Sequence, residues 1–114
     1  MNADYYTYTV MQSAAEATGN GTAVTCYDGS VGALNTLTVH VEGITSATIT
    51  FEATIDGTNW IAVGLTSLAD NSTVATTATA DGLYRLNCTG LYKVRARIST
   101  YATGTIYVYG VAVA

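Results

Sequence analysis

Apolar and polar residues alternate one for one along three stretches of this chain, and that period of two constrains its fold more than any other feature. Leu37, Val39 and Val41 interleave with Thr38, His40 and Glu42. Ala47, Ile49, Phe51, Ala53 and Ile55 interleave with Thr48, Thr50, Glu52 and Thr54, and Tyr92, Val94, Ala96 and Ile98 with Lys93, Arg95 and Arg97. Successive side chains of a strand point to opposite faces, so each stretch reads as a strand with one face inward. Turn signals separate the runs: Asp28-Gly29, Asp56-Gly57, Asp81-Gly82 and the glycines at 43, 90 and 104 suit the φ > 0 positions of tight reversals. Ile55 to Trp60 reads as a hairpin leading into a strand at 59–65. Weaker strands are expected at 5–11, 22–27, 73–78 and 83–88, with a last one at 105–113. The pattern predicts an all-β, antiparallel β-sandwich or jelly-roll of eight to nine short strands. Residues 22–114 form its single domain, and residues 1–21 an N-terminal arm or edge strand. Only 13–18, with its Ser13-x-x-Glu16 spacing, could make a helical turn.

Composition narrows the function. Hydrophobic residues are 49% of the 114 and charged residues 11%, against about 25% charged in ordinary domains. Such a surface is either sticky or covered by partners. The net charge of −4 with only four cations, Arg85, Lys93, Arg95 and Arg97, argues against nucleic-acid binding, which needs many phosphate-neutralising side chains. No window approaches the ~18 apolar residues of a membrane span. The start, Met1 to Tyr6, shows no cationic region followed by an apolar one, so no signal peptide is expected and folding in a cytoplasm is. Proline is absent and lysine scarce, so the sheet edges lack their usual protection, which a neighbouring subunit or a loop could supply.

Residues that carry chemistry are few. His40, the single histidine, falls on an outward row, where a solvent- or partner-facing role is the plain reading. Glu42 and Glu52 could be imagined as a glycosidase pair, but ion pairing with Lys93, Arg95 and Arg97 accounts for both without catalysis. The Asp-Gly pairs suit β-turns better than a calcium loop. Cys26 and Cys88 belong to no metal-binding spacing; they read as two buried thiols in a reducing cytoplasm, with a disulfide as the alternative. The expectation is therefore a non-enzymatic protein with no catalytic residues, cofactor or metal.

Two segments resist a simple sandwich reading. Residues 106–113 (IYVYGVAV) and 5–11 (YYTYTVM) are apolar or aromatic on both faces. Each is either central with its second face covered or part of an interface. Tyrosine suits interfaces because it joins apolar area to a hydroxyl that stays hydrogen-bonded. Tyr5, Tyr6, Tyr8, Tyr107 and Tyr109 are thus candidate interface residues, with filling of the core ends as the alternative. The row Lys93, Arg95, Arg97 is a second candidate surface.

The stretch ATITFEATIDGTNW (47–60), followed by GLYRLN (82–87), GLYKVRARI (90–98) and YATGT (101–105), resembles small structural proteins of tailed-bacteriophage virions. There an alternating strand leads to a D-G-x-x-W hairpin and later to a Gly-x-Tyr-Arg strand. The resemblance covers about residues 35–113. It implies a β-sandwich virion component, made in the host cytoplasm. A capsid decoration (cement) protein that clamps neighbouring capsid subunits is the leading case. Its partners would be the major capsid protein, or another virion protein, and further copies of itself, a trimer being favoured. Trp60 would then plug the end of the sandwich. A carbohydrate- or receptor-binding module of a tail, fibre or baseplate is the alternative, with Trp60 and Tyr101 as its aromatic platform.

Overall fold

The computed structural model describes residues 6–28 and 32–114. They form eleven strands: β1 (Tyr6–Ala15), β2 (Val24–Thr25), β3 (Tyr27–Asp28), β4 (Gly32–Ala33), β5 (Thr36–Thr54), β6 (Ile61–Ala62), β7 (Leu65–Ser67), β8 (Val74–Ala75), β9 (Thr77–Ala78), β10 (Gly82–Asn87) and β11 (Lys93–Val113). All pairings are antiparallel. The main sheet runs β1-β11-β5-β10-β7-β8, with β2 on β11 and β6 and β9 on β5. The all-β antiparallel class expected from the alternation is the class observed.

Two of the strands are far longer than expected. The runs at 36–42 and 47–55 fuse into β5, and those at 92–98 and 105–113 fuse into β11. Their pairing is interrupted by register shifts between Ile98 and Tyr107 of β11. Gly43 (φ +87°) and Gly104 (φ +129°) sit inside this irregular zone. There the ribbon bends without ending, as bulges with left-handed glycines allow. The halves of β5 and β11 thereby enter two layers. In one layer Tyr107–Val113 pair with Thr36–Glu42, flanked by β1 and β10; in the other Lys93–Ile98 pair with Ile49–Thr54, flanked by β2, β6 and β9.

The inward rows of the two layers meet in one core. Leu37, Val39, Val41, Ile106, Val108 and Ala112 come from the first layer. Ile49, Phe51, Ala53, Val94, Ala96 and Ile98 come from the second. Phe51 packs against Tyr84 of β10 with ring centroids 5.8 Å apart, which ties the layers together. At Gly110 any Cβ would come within 2.8 Å of Met11 Sδ and of a Val24 methyl, so close packing sets that residue's size.

Three local expectations change, and β1 carries a bulge. Ser13–Thr18 makes no helical turn: β1 continues to Ala15, and Ala14 takes a positive φ of 49°. A register shift between Val10 and Gln12 turns both Met11 and Gln12 inward, because a bulge puts two residues where one is expected. The Gln12 amide donates to Ala96 O at 2.8 Å and Gly19 O at 3.2 Å, which satisfies it inside the core edge. Ile55 does not continue the inward row; it lies past the end of β5 and is 68% exposed. Trp60 does not plug the core and is only half-buried.

The Asp56 turn is built from its own side chain. The Asp56 carboxylate accepts from the Thr58 and Asn59 amides (both 2.8 Å), from Asn59 Nδ2 and from Thr54 Oγ1. The bonds from Asn59 and Thr58 hold its pKa well below the usual carboxylate range. Asp70 accepts from the Thr73 hydroxyl and amide and from the Ser72 amide, which bring it down to about 2. Asp81 accepts from the Ile44 amide beside the bend. These carboxylates serve turns and the bend.

Candidate functional site

Because the inward rows share one core, the outward rows of the two layers face away from each other. The outer face of the first layer is aromatic. Register places Tyr6 beside Val113, Tyr8 beside Val111 and Val10 beside Tyr109, then Tyr109 beside His40 and Tyr107 beside Glu42, with Leu83 beyond His40. Tyr6 and Tyr8 are 63% and 56% exposed. The rings of Tyr8 and Tyr109 lie 6.4 Å apart and within 12° of parallel; those of Tyr109 and Tyr107 lie 6.2 Å apart at the same angle. Three strand positions thus present a row of parallel rings.

Polar groups sit along one side of this row. The Tyr109 hydroxyl donates to Glu42 Oε1 at 3.1 Å, and the His40 ring is 5.8 Å from that of Tyr109. Desolvation, then the bond to Glu42 and its negative charge, push the Tyr109 phenol up. It therefore remains a neutral donor. His40 Nε2 lies 4.0 Å from Glu42 Oε2, and both are exposed enough for water to weaken the pair.

The outward tyrosines of β1 have an identifiable origin. Thr7 and Thr9 take the inward row of that strand, so its aromatic side is the solvent side. Of the five tyrosines expected at an interface, four share this face, and Tyr5 lies outside the described residues. Their alternative reading as core filler does not hold for Tyr6 and Tyr8. β11 is central in its sheet, between β1 and β5. Among the described residues, its second face borders only the neighbouring side chains of the same layer.

The outer face of the second layer carries three of the four cations, Lys93, Arg95 and Arg97. Arg95 stands beside Glu52 in register. Its guanidinium reaches Glu52 Oε1 at 2.8 Å, and Arg97 reaches Oε2 at 3.2 Å, so one carboxylate takes two arginines. Partial burial pushes the Glu52 carboxyl up. The Arg97 and Arg95 hydrogen bonds and charges overcome that and leave it below its ordinary value. Arg95 also lies flat over Trp60, its Cζ 4.1 Å from the ring centroid, and Lys93 Nζ is 5.0 Å from the Tyr92 centroid. Glu52 and Glu42 are on one strand but on opposite outer faces, so they do not form a carboxylate pair. Glu42 and His40 likewise do not stand opposite the basic row.

Trp60 and Tyr101 are not brought together. Trp60 has one face under Arg95, which pairs with Glu52, whereas Tyr101 is six residues further along β11, beside Ala47. Tyr101 packs against the core and donates its hydroxyl to Gly104 O at 2.7 Å, which braces the bend.

Sequence reasoning missed two features. Val10, Val113 and Leu83 extend the aromatic face with exposed aliphatic groups; the register that aligns them depends on long-range pairing. An apolar cleft of about 360 Å³ opens at the end of the second layer, lined among others by Ala53, Ile55, Ile61, Val63 and Leu91. The adjacent Asp56-Gly57 turn was visible in sequence, but the exposure of Ile55 beside it was not.

Together these features define a small β-sandwich whose distinctive chemistry lies on broad outer faces. The chain belongs to the XepA family, whose model matches residues 5–112. The structure of the SPBc2 prophage-derived protein YomS is similar, with a TM-score of 0.80 and 24% identity over 96% of this chain and 93% of that one. The PBSX exported protein XepA is similar at a TM-score of 0.85 and 21% identity, over 100% of this chain but 39% of that chain. This chain thus spans about two-fifths of that protein's length. At such identities the two structures speak for the fold. No curated protein matches in sequence. The likeness to phage proteins noted above therefore holds as membership of a phage-related family.

Proposed function

We propose that this chain is a non-enzymatic structural protein of a tailed-phage particle, and that it decorates the capsid by laying its tyrosine face on neighbouring capsid subunits. What supports this reading above all is the parallel row Tyr8, Tyr109, Tyr107 on an outer sheet face, extended by the exposed Tyr6, Val10, Leu83 and Val113. Tyrosines give large, rigid contact area at low entropic cost and keep their hydroxyls satisfied at a polar rim. Glu42, His40 and Arg85 would form part of that rim. The row Lys93, Arg95, Arg97 is a secondary contact, because Glu52 already engages two of its three charges. Self-association into a homo-oligomer belongs to the same proposal, as does a location on the virion after synthesis in the host cytoplasm.

The test uses particles of the encoding phage with the gene intact and deleted. Particles lacking the protein should lose heat resistance and regain it when the purified chain is added. The double variant Tyr6→Ser, Tyr8→Ser should fold normally, since both side chains are exposed, yet fail to restore resistance. Full rescue by that variant, or particles indifferent to the protein, would refute the reading. A carbohydrate-binding role fares less well, because Trp60 is half covered by Arg95 and Tyr101 is remote from it. Specific glycan capture that Trp60→Ala abolishes would reinstate it.

A further inference from the structure

Cys26 lies between β2 and β3, and Cys88 directly follows β10. They are 62 positions apart (88 − 26), yet both side chains are fully buried in the same core. One short segment holds them together. The Leu34 amide donates to Cys26 O at 2.8 Å, and the Cys88 amide donates to Asn35 O at 2.8 Å. The Cys88 thiol also donates to Leu34 O at 3.7 Å. The Cys26 thiol lies 4.0 Å from Val24 O, so backbone on both sides of residues 34–35 fixes the two thiols. We propose that Cys26 and Cys88 are a latent disulfide site, open while the chain is in a reducing compartment and closed by thiol–disulfide exchange once it meets an oxidising one.

The exchange balances with a small-molecule disulfide such as oxidised glutathione. The Cys88 thiolate attacks one sulfur of that disulfide, forms a mixed disulfide and expels one glutathione thiolate. The Cys26 thiolate then attacks the Cys88 sulfur and expels the second. Two protein thiols are oxidised to one disulfide, one oxidised glutathione is reduced to two thiols, and the two protons end on those leaving groups. The balance is the same if Cys26 attacks first. Because both sulfurs are buried, exchange takes place while the chain folds or during transient opening.

The bond would join the two layers. Cys26 follows β2, which pairs with the Lys93 end of β11, and Cys88 follows β10, which pairs with the Thr36 end of β5. Closing a loop of that length restricts the unfolded chain considerably.

The test needs only the full chain. It is unfolded, then refolded either in excess reductant or in a mixture of oxidised and reduced glutathione. The expected product of the second is a species lighter by two hydrogen atoms, with no alkylatable thiol after denaturation. Its melting temperature should lie about 10 °C or more above that of the reduced form. Cys26→Ala and Cys88→Ala should each leave one thiol and no redox-dependent melting. Should either variant fail to fold, the wild-type comparison decides alone. Thiols that stay alkylatable, a disulfide-linked dimer, or a crosslink that lowers the melting temperature would each overturn the proposal.

Discussion

Replacing Gly43 by alanine should destabilise this protein strongly, and the bend in β5 and β11 says by how much. A Cβ at Gly43 would meet Thr105 O at 1.9 Å and its carbonyl carbon at 2.9 Å, where real Cβ atoms do not come within 3.0 Å. The obstacle is backbone, so a side-chain rotation cannot relieve it. The φ of +87° adds its own cost, about 1–2 kcal/mol for a residue with a Cβ. Moving Thr105 away disturbs the pairing on either side, Gly104 with Ile44 and Tyr107 with Glu42. One or two weakened hydrogen bonds at about 1 kcal/mol each follow. The sum is about 2–4 kcal/mol, a large part of the roughly 5–15 kcal/mol that small domains possess. Gly90 is the control: its φ is +85°, but nothing lies within 4 Å of its Cβ position. Gly90→Ala should lose only the conformational part. With a urea m-value of about 2 kcal/mol/M, Gly43→Ala should lower the urea midpoint by about 1–2 M and Gly90→Ala by about 0.5–1 M. Equal shifts would refute the argument that contact between β5 and β11 at the bend, rather than φ alone, demands glycine at 43.

Other substitutions probe the core and the second outer face. Phe51→Ala should cost about 3–5 kcal/mol, since a fully buried ring spanning both layers is removed; chemical denaturation measures it. Gln12→Leu should cost about 1–3 kcal/mol, because the Ala96 and Gly19 carbonyls lose their donor at a buried edge; a cost near zero would mean water replaces it. Glu52→Gln should cost about 1–2 kcal/mol, the smaller figure reflecting solvent around Arg97. It should also quench or shift Trp60 fluorescence as Arg95 is released. The folded Glu52 carboxyl titrates below its ordinary value of 4.5. Its contribution is therefore complete above that pH and is lost as pH falls through the lower, folded value. Urea midpoints between pH 6 and pH 3 should fall less steeply in Glu52→Gln than in the wild type, and parallel curves would count against the ion-pair assignment.

Much of the fold was legible in local sequence because strand alternation is local. Leu37, Val39 and Val41 are inward and Lys93, Arg95 and Arg97 outward as their neighbours dictate, and the Asp56 carboxylate completes its turn within three residues. The fusion of four expected strands into β5 and β11 was not legible. A glycine between two alternating runs reads equally as a turn or as a bulge, and only the partner strand decides between them. The candidate surface divides in the same way. The tyrosines at both chain ends were visible as residues that one core could not absorb on both faces. That Tyr8, Tyr109 and Tyr107 form one stacked row depends on β1 pairing with β11 nearly one hundred residues away. Trp60 shows the opposite failure, since its neighbour Arg95 is brought to it by strand register and no local pattern announces it.

The sequence by itself therefore determined the class of fold and the inward and outward identity of its regular strands, because period and composition are properties of short segments. Only the tertiary structure decided that two long ribbons bend into both layers, that the aromatic and cationic rows face opposite ways, and that Cys26 and Cys88 are buried in one core. Those are relations between residues far apart in the chain, and they are set by which backbone hydrogen bonds close and how one shared core fills.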